Sequence, residues 1–194
     1  MRNLCVFCGS RTGGVPGYSE AAREFGDSLA RRGFGLVYGG GHIGLMGILA
    51  DAVLSVGQPV VGVIPRALAD KELAHRGLSE LIVVESMHER KAVMADRSDA
   101  FVALPGGYGT GDELFEILTW AQLGLHKKPI GLLNTASFFD PLLSWLDHMV
   151  REDFLKPVHR RLVNVAADSA GLLDLLEHSQ APPQVEKWLA PGER

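Results

Sequence analysis

Two hydrophobic patterns alternate along this chain. Short, largely apolar runs occur at residues 4–8 (LCVFC, wholly apolar), 34–38, 59–64 (PVVGVI), 80–84, 100–104, 129–133 and 162–165. Between them, apolar residues return every three or four positions, as in Ala22, Phe25, Leu29 and Ala30 within residues 18–32. The runs predict strands buried on both faces, and the spaced segments predict amphipathic helices. Helices are expected over 18–32, from the glycines at 39–47 to Val56, over 86–97, over 110–125, over 138–151 and over 169–178. Gly33 and Gly57 close the first two in the usual C-terminal manner. Residues 65–77 read as a polar connection, and 13–17 as a flexible glycine loop. Strand and helix alternate throughout. The expected fold is therefore α/β, a single Rossmann-like domain over residues 1–179 with a mostly parallel sheet and helices on both faces. Residues 180–194 are Pro-rich and weakly periodic, a tail beyond that domain.

Composition narrows the functional classes. A chain of 194 residues is large enough for one full core, and 46% hydrophobic with 22% charged residues is ordinary for a globular protein. The formal net charge of −4 gives no global basic field, so no nucleic-acid partner is expected and any anion site must be local. No apolar stretch reaches the length of a membrane span. The opening run MRNLCVFCGS is too short in apolar residues for a signal peptide. A cytoplasmic protein is expected. Cys5 and Cys8 form a C-x-x-C, but inside or at the end of a strand rather than at a helix start, which points to two buried thiols. The histidines are scattered without ligand spacing, so no metal site is expected.

In such a sheet, ligands bind beyond the carboxyl ends of the strands. That rule gathers four loops on one rim: Gly9-Ser10-Arg11, 39–44, 85–91 and 106–113. Two are glycine-rich and two carry arginine, a combination suited to a phosphorylated ligand. Residues 39–44 (GGGHIG) satisfy G-x-G-x-x-G, but they follow the second strand. The next strand runs into Ile64-Pro65-Arg66 instead of an acidic residue, so a dinucleotide site is disfavoured. Ser86 and Glu89 have capping-box spacing, which places Arg90 and Lys91 in the first turns of a helix where the macrodipole disfavours cations. Either Glu89 compensates as a surface partner, or Arg90 and Lys91 face an anion or Glu113. Thr110 and Glu113 have the same spacing, so Glu113 is either a helix cap or a reactive carboxylate beside bound phosphate.

The motif Pro105-Gly106-Gly107-Tyr108-Gly109-Thr110-x-x-Glu113 resembles the P-G-G-x-G-T-x-x-E motif of the Lonely Guy (LOG) phosphoribohydrolases, long labelled possible lysine decarboxylases. The resemblance extends to Gly39-Gly40-Gly41 with Gly44-Leu45-Met46-Gly47, to residues 87–91 (MHERK) and to 119–124 (TWAQLG). It implies hydrolysis of the N-glycosidic bond of a nucleoside 5′-monophosphate, either a cytokinin riboside 5′-monophosphate or AMP, to free base and ribose 5-phosphate. It also implies Arg90 and Glu113 as the catalytic pair, and Glu72, Lys91, Gly107, Tyr108, Gly109, Thr110, Gly111, Asp112 and Thr119 as substrate contacts. A homodimer with the site near the subunit interface is implied as well, and no cofactor. The chain has Gly111-Asp112 where the family usually has Leu-Glu.

Cleaving the C1′–N bond generates an oxocarbenium-like centre. An ionised Glu113 supplying charge or orienting water, with Arg90 keeping it ionised, would lower that barrier. Two other classes compete: a non-catalytic nucleotide-binding module, and a pyridoxal-phosphate lysine decarboxylase with Lys91 as the Schiff-base lysine.

Overall fold

The seven apolar runs become the seven strands of one parallel sheet. In the computed structural model, which describes residues 1–69 and 74–179, these are β1 (Asn3–Phe7), β2 (Gly35–Tyr38), β3 (Val60–Pro65), β4 (Glu80–Val84), β5 (Ala100–Ala103), β6 (Ile130–Leu133) and β7 (Val163–Ala166). Their order is β4-β3-β2-β1-β5-β6-β7. Every pairing is parallel, so the expected mostly parallel sheet is wholly parallel among the described residues. β1 lies at the centre, with Val6 opposite Tyr38 on one side and Val102 on the other.

The helices are α1 (Pro16–Arg31), α2 (Gly44–Val56), α3 (Arg66–Ala69), α4 (Met87–Asp96), α5 (Tyr108–Leu123), α6 (Asp140–Arg151), α7 (Pro157–Arg160) and α8 (Ser169–His178). One core packs α1, α2 and α8 against the sheet through Phe25, Leu29, Leu49 and Leu172. The other packs α4 and α5 through Met94, Leu114 and Ile117, with Leu142 of α6 beside them. The central strands β1, β2 and β5 feed both layers and are apolar but for Asn3, whereas the edge strand β4 packs only Ile82 and Val84, against the α4–α5 layer.

Several boundaries differ from expectation for local reasons. α1 starts at Pro16, two residues into the expected loop, because proline is pre-organised for a first helical position. The 65–77 connection holds the short helix α3, and α7 adds another at a Lys-Pro step. Glu72 and the 180–194 tail lie outside the described residues.

The chain winds outward from β1 through β2, β3 and β4, then crosses back to β5 on the other side of β1. The loops after β1 and β5 therefore diverge at the centre of the sheet, and such a switch point opens a crevice at the carboxyl edge. Hydrogen bonds from Gly9 N–H to the Pro105 carbonyl (3.0 Å) and from Leu45 N–H to the Gly9 carbonyl (3.0 Å) stitch three of the rim loops together there.

Candidate active site

α5 begins three residues earlier than its capping-box spacing implied. Gly107 is the N-cap, in extended conformation and with no side chain to cap the helix. Thr110 therefore sits inside the first turn, and Glu113 lies nearly a full turn further on. The expected Thr110–Glu113 box is not formed. The turn closes early because Gly106 has no Cβ: one placed there would run into Thr110 Oγ1. Thr110 is consequently folded back and only 6% exposed. With no side-chain cap, the N–H groups at the start of α5 have no intrahelical acceptor and face the crevice, the arrangement that suits an anion.

α4 supplies the opposing cation. The Ser86 cap forms as expected, its Oγ accepting from Glu89 N–H at 3.1 Å. Glu89 reaches back one residue beyond the box, its carboxylate accepting from Glu85 N–H at 2.9 Å. That use of Glu89 leaves Arg90 free to turn inward. Arg90 Nη1 donates to Glu113 Oε1 at 2.8 Å, and Nε donates to the carbonyl of Val63 in β3 at 3.0 Å. Its Nη2 lies against Gly39, where any Cβ would displace the guanidinium. The pair is buried, with side chains 11% and 8% exposed.

Burial raises the pKa of Glu113 and the Arg90 charge and hydrogen bond oppose it, leaving the carboxyl above its ordinary value. Arg90 thus limits the shift rather than holding Glu113 in the usual carboxylate range. A buried carboxylate with elevated pKa is a better proton acceptor than a solvated one, and a single arginine partner leaves its second oxygen open to a ligand or water.

Lys91, adjacent in sequence, points elsewhere because neighbouring helical positions diverge by about 100°. Its Nζ lies 3.1 Å from Asp112 Oδ2 and 3.0 Å from Glu116 Oε1, in a clamp between α4 and α5. Burial disfavours the ammonium, but the bonds to Glu116 and Asp112 outweigh it and raise its pKa. The residue the chain carries at position 112 is thus committed to Lys91.

A cavity of about 300 Å³ opens over the Arg90–Glu113 pair, bounded by Gly107, Tyr108, Gly109 and Thr110 on α5 and by Ser10 on the β1 loop. Cys8 after β1, Met46 of α2 and Leu68 of α3 also line it; sequence reasoning gave them no site role, since an apolar side chain carries no signal that distinguishes a cavity wall from the core. A smaller cavity of about 190 Å³ adjoins it across Gly9 and Ser10, floored by Tyr18, Leu45 and Phe138. The Tyr18 ring meets Phe138 edge-on at 5.7 Å. Both cysteines are free, buried thiols, and burial together with the nearby Glu113 pushes Cys8 far above the ordinary thiol range.

Not every residue singled out from sequence joins the cavity. Gly111 does not line it, and Asp112 and Lys91 pair with each other between α4 and α5 instead. Tyr108 borders it with a side chain that is fully exposed. Thr119 lies in a different groove, between α5 and α6, where its hydroxyl donates to the Phe115 carbonyl at 2.7 Å. Among the described residues there is no group of three or more His, Cys, Asp or Glu side chains placed to hold a metal ion. Among them, too, no helix is long and apolar enough to cross a membrane.

Residues 46–176 match the family model described as possible lysine decarboxylase. The cytokinin riboside 5′-monophosphate phosphoribohydrolase LOG of Oryza sativa subsp. japonica is 51% identical over 177 residues, covering 91% of this chain and 73% of the relative. LOG2 of Arabidopsis thaliana, a protein of the same name, is 48% identical over 177 residues, covering 91% and 83%. Among solved structures, the Moco carrier protein of Chlamydomonas reinhardtii aligns with a TM-score of 0.68 over 91% of this chain and 95% of its own, at 24% identity, a likeness of fold alone. With the relatives matched across most of their length as well as this chain's, the protein belongs to the LOG phosphoribohydrolase family.

Proposed function

We propose that this protein hydrolyses the N-glycosidic bond of nucleoside 5′-monophosphates, releasing free base and ribose 5-phosphate. The observation that carries the reading is the buried Arg90–Glu113 pair facing a cavity whose wall is the uncapped start of α5. In this reading the 5′-phosphate accepts from the N–H groups at the start of α5, around Gly107, Tyr108 and Gly109, and from Thr110 if its hydroxyl turns outward. That anchor sets the ribose against Glu113. Water adds its oxygen to C1′ as the bond to the base breaks, and the base departs with its bonding electrons and takes a proton from solvent. Ionised Glu113 stabilises the cationic C1′ and takes the proton of the attacking water, a role its raised pKa suits. Arg90 fixes the orientation of the carboxylate and limits its protonation.

The relatives are named for a cytokinin riboside 5′-monophosphate substrate, and we extend that substrate class to this chain, with AMP as the simplest member of the same chemistry. The decarboxylase reading is not favoured. A Schiff-base lysine must lose its proton, whereas Lys91 is clamped as an ammonium between two carboxylates. A single domain over residues 1–179 is part of the proposal, as is a homodimer in the cytoplasm. Thr119, implied as a substrate contact, lies outside the Glu113 cavity on an apolar groove, so it reaches a substrate only across a subunit interface.

The test is to incubate the protein separately with AMP and isopentenyladenosine 5′-monophosphate and follow free base by chromatography. Base release that a Glu113→Gln protein lacks supports the hydrolase, and the ratio of the two rates identifies the preferred base. Binding of AMP without release of adenine would make the chain a nucleotide-binding module instead.

A further inference from the structure

We propose that His75, oriented by Asp51, is a positioning residue for this hydrolysis, pinning the Gly39–Gly41 turn that backs Arg90. The inference rests on the reading of Arg90 and Glu113 as the catalytic pair. Ala74 forms an antiparallel bridge with Gly41, and His75 N–H donates to the Gly40 carbonyl at 2.9 Å. The His75 ring is held at both nitrogens. Gly77 N–H donates to Nδ1 at 3.1 Å, so Nδ1 is an acceptor and the ring proton resides on Nε2. Nε2 then donates to Asp51 Oδ1 on α2, at 3.0 Å.

With both nitrogens committed and the side chain 11% exposed, this imidazole is not placed to exchange protons with a substrate. Its carboxylate-oriented geometry instead ties three segments together: the 74–77 loop, the glycine turn after β2, and α2. Gly40 holds a left-handed conformation (φ +75°) tight against Val63 and Ile64 of β3, the strand whose Val63 carbonyl anchors Arg90 Nε. Gly39, next to it, is the surface on which the guanidinium rests. Displacing the turn shifts the arginine, and the arginine orients Glu113.

A displaced catalytic pair harms the transition state more than ground-state binding, because reacting groups lose alignment while phosphate contacts persist. The variants Asp51→Ala, His75→Ala and their combination, with Asp51→Asn as the conservative control, are assayed with AMP and isopentenyladenosine 5′-monophosphate. The expected result is a fall in kcat of about tenfold for each alanine variant with KM within about twofold. The double variant should be no worse than either single, since both break one latch. Asp51→Asn, which keeps an oxygen acceptor for Nε2–H, should retain wild-type kcat. Wild-type kcat in an alanine variant, additive losses in the double, or an asparagine variant as slow as the alanine would overturn the proposal. Hydrogen exchange supplies a readout independent of turnover: the His75 amide should exchange faster in Asp51→Ala, and unchanged exchange would also overturn it. A wild-type protein that releases no base would refute the hydrolase reading instead, leaving the latch to be judged by exchange alone.

Discussion

Glu113 is asked to do two things that oppose each other. It sits among apolar neighbours, which favours its proton, and it must be ionised to stabilise the cationic sugar and accept from water. The pH dependence follows. The proposed hydrolysis should have an acid limb in kcat/KM with an apparent pKa above the ordinary 4.5 of a glutamate, and no such limb in Glu113→Gln. Removing the charge should lower kcat by about a hundredfold or more. The stability dependence has the opposite sign to the activity. Because the folded pKa is raised, the native state holds the Glu113 proton more tightly than the unfolded chain. Its contribution to stability is fully present below about pH 4.5 and is lost as pH rises through the folded value. Thermal melts of wild type and Glu113→Gln between about pH 4 and 7 should therefore show the wild-type Tm falling relative to the variant as pH rises. A gap that widened in favour of wild type would mean that Arg90 lowers the carboxyl pKa more than burial raises it.

At the scale of elements, two helix starts have opposite designs. α4 is capped by Ser86, and the cap sets the first turn from which Arg90 reaches Val63 and Glu113. Ser86→Ala should cost about 1 kcal/mol of stability, a fall in Tm of about 2–4 °C for a domain of this size. α5 is left uncapped, and its glycines separate into structural and ligand-facing positions. A methyl group at Gly106 meets Thr110 Cβ at 2.7 Å and Gly9 N at 3.0 Å, so Gly106→Ala should destabilise by about 1–3 kcal/mol. A Cβ at Gly109 meets nothing within 4 Å, so Gly109→Ala should instead stabilise the helix, by up to about 1 kcal/mol. If phosphate sits on the α5 amides, the same variant should weaken AMP binding. A protein with a higher Tm and a weaker AMP affinity is therefore the expected outcome, read by melting and by calorimetry. Unchanged affinity would move the phosphate elsewhere.

At the scale of the molecule, the sheet order places the β1 and β5 loops on either side of a central crevice, and that placement assembles the site from segments far apart in sequence. The same fold leaves an apolar groove between α5 and α6, lined by Phe115, Leu118, Leu146 and Met149. Beside it Trp145 is 50% exposed and Phe154 87% exposed. Covering it with a second copy would bring Thr119 to an interface. Light scattering on the eluting protein should give a dimer for wild type, and a Trp145→Ser, Phe154→Ser double variant should shift to monomer. A dimer that persists in the double variant would place the interface on another face.

Much of this protein is determined by its sequence alone. Short, largely apolar runs alternating with segments of helical spacing point to buried strands joined by parallel crossovers. Those two facts yield the sheet, the layers and the rim on which four loops meet. Arg90 and Glu113 were singled out by local signals, a cation in a helix's first turn and a carboxylate after a glycine turn, but only the family motif named them as the catalytic pair. Local spacing was misleading at Thr110, which had the separation of a capping box. The cap was pre-empted by Gly106, whose missing Cβ let the helix begin earlier. Only tertiary structure could separate Arg90 from Lys91, send one to Glu113 and the other to Asp112 and Glu116, and join His75 to Asp51 across 24 positions of chain. The physical reason is one of range. Periodicity and capping act within a few residues and can be read along the chain, whereas a buried charge takes as its partner whatever packing brings within hydrogen-bond reach.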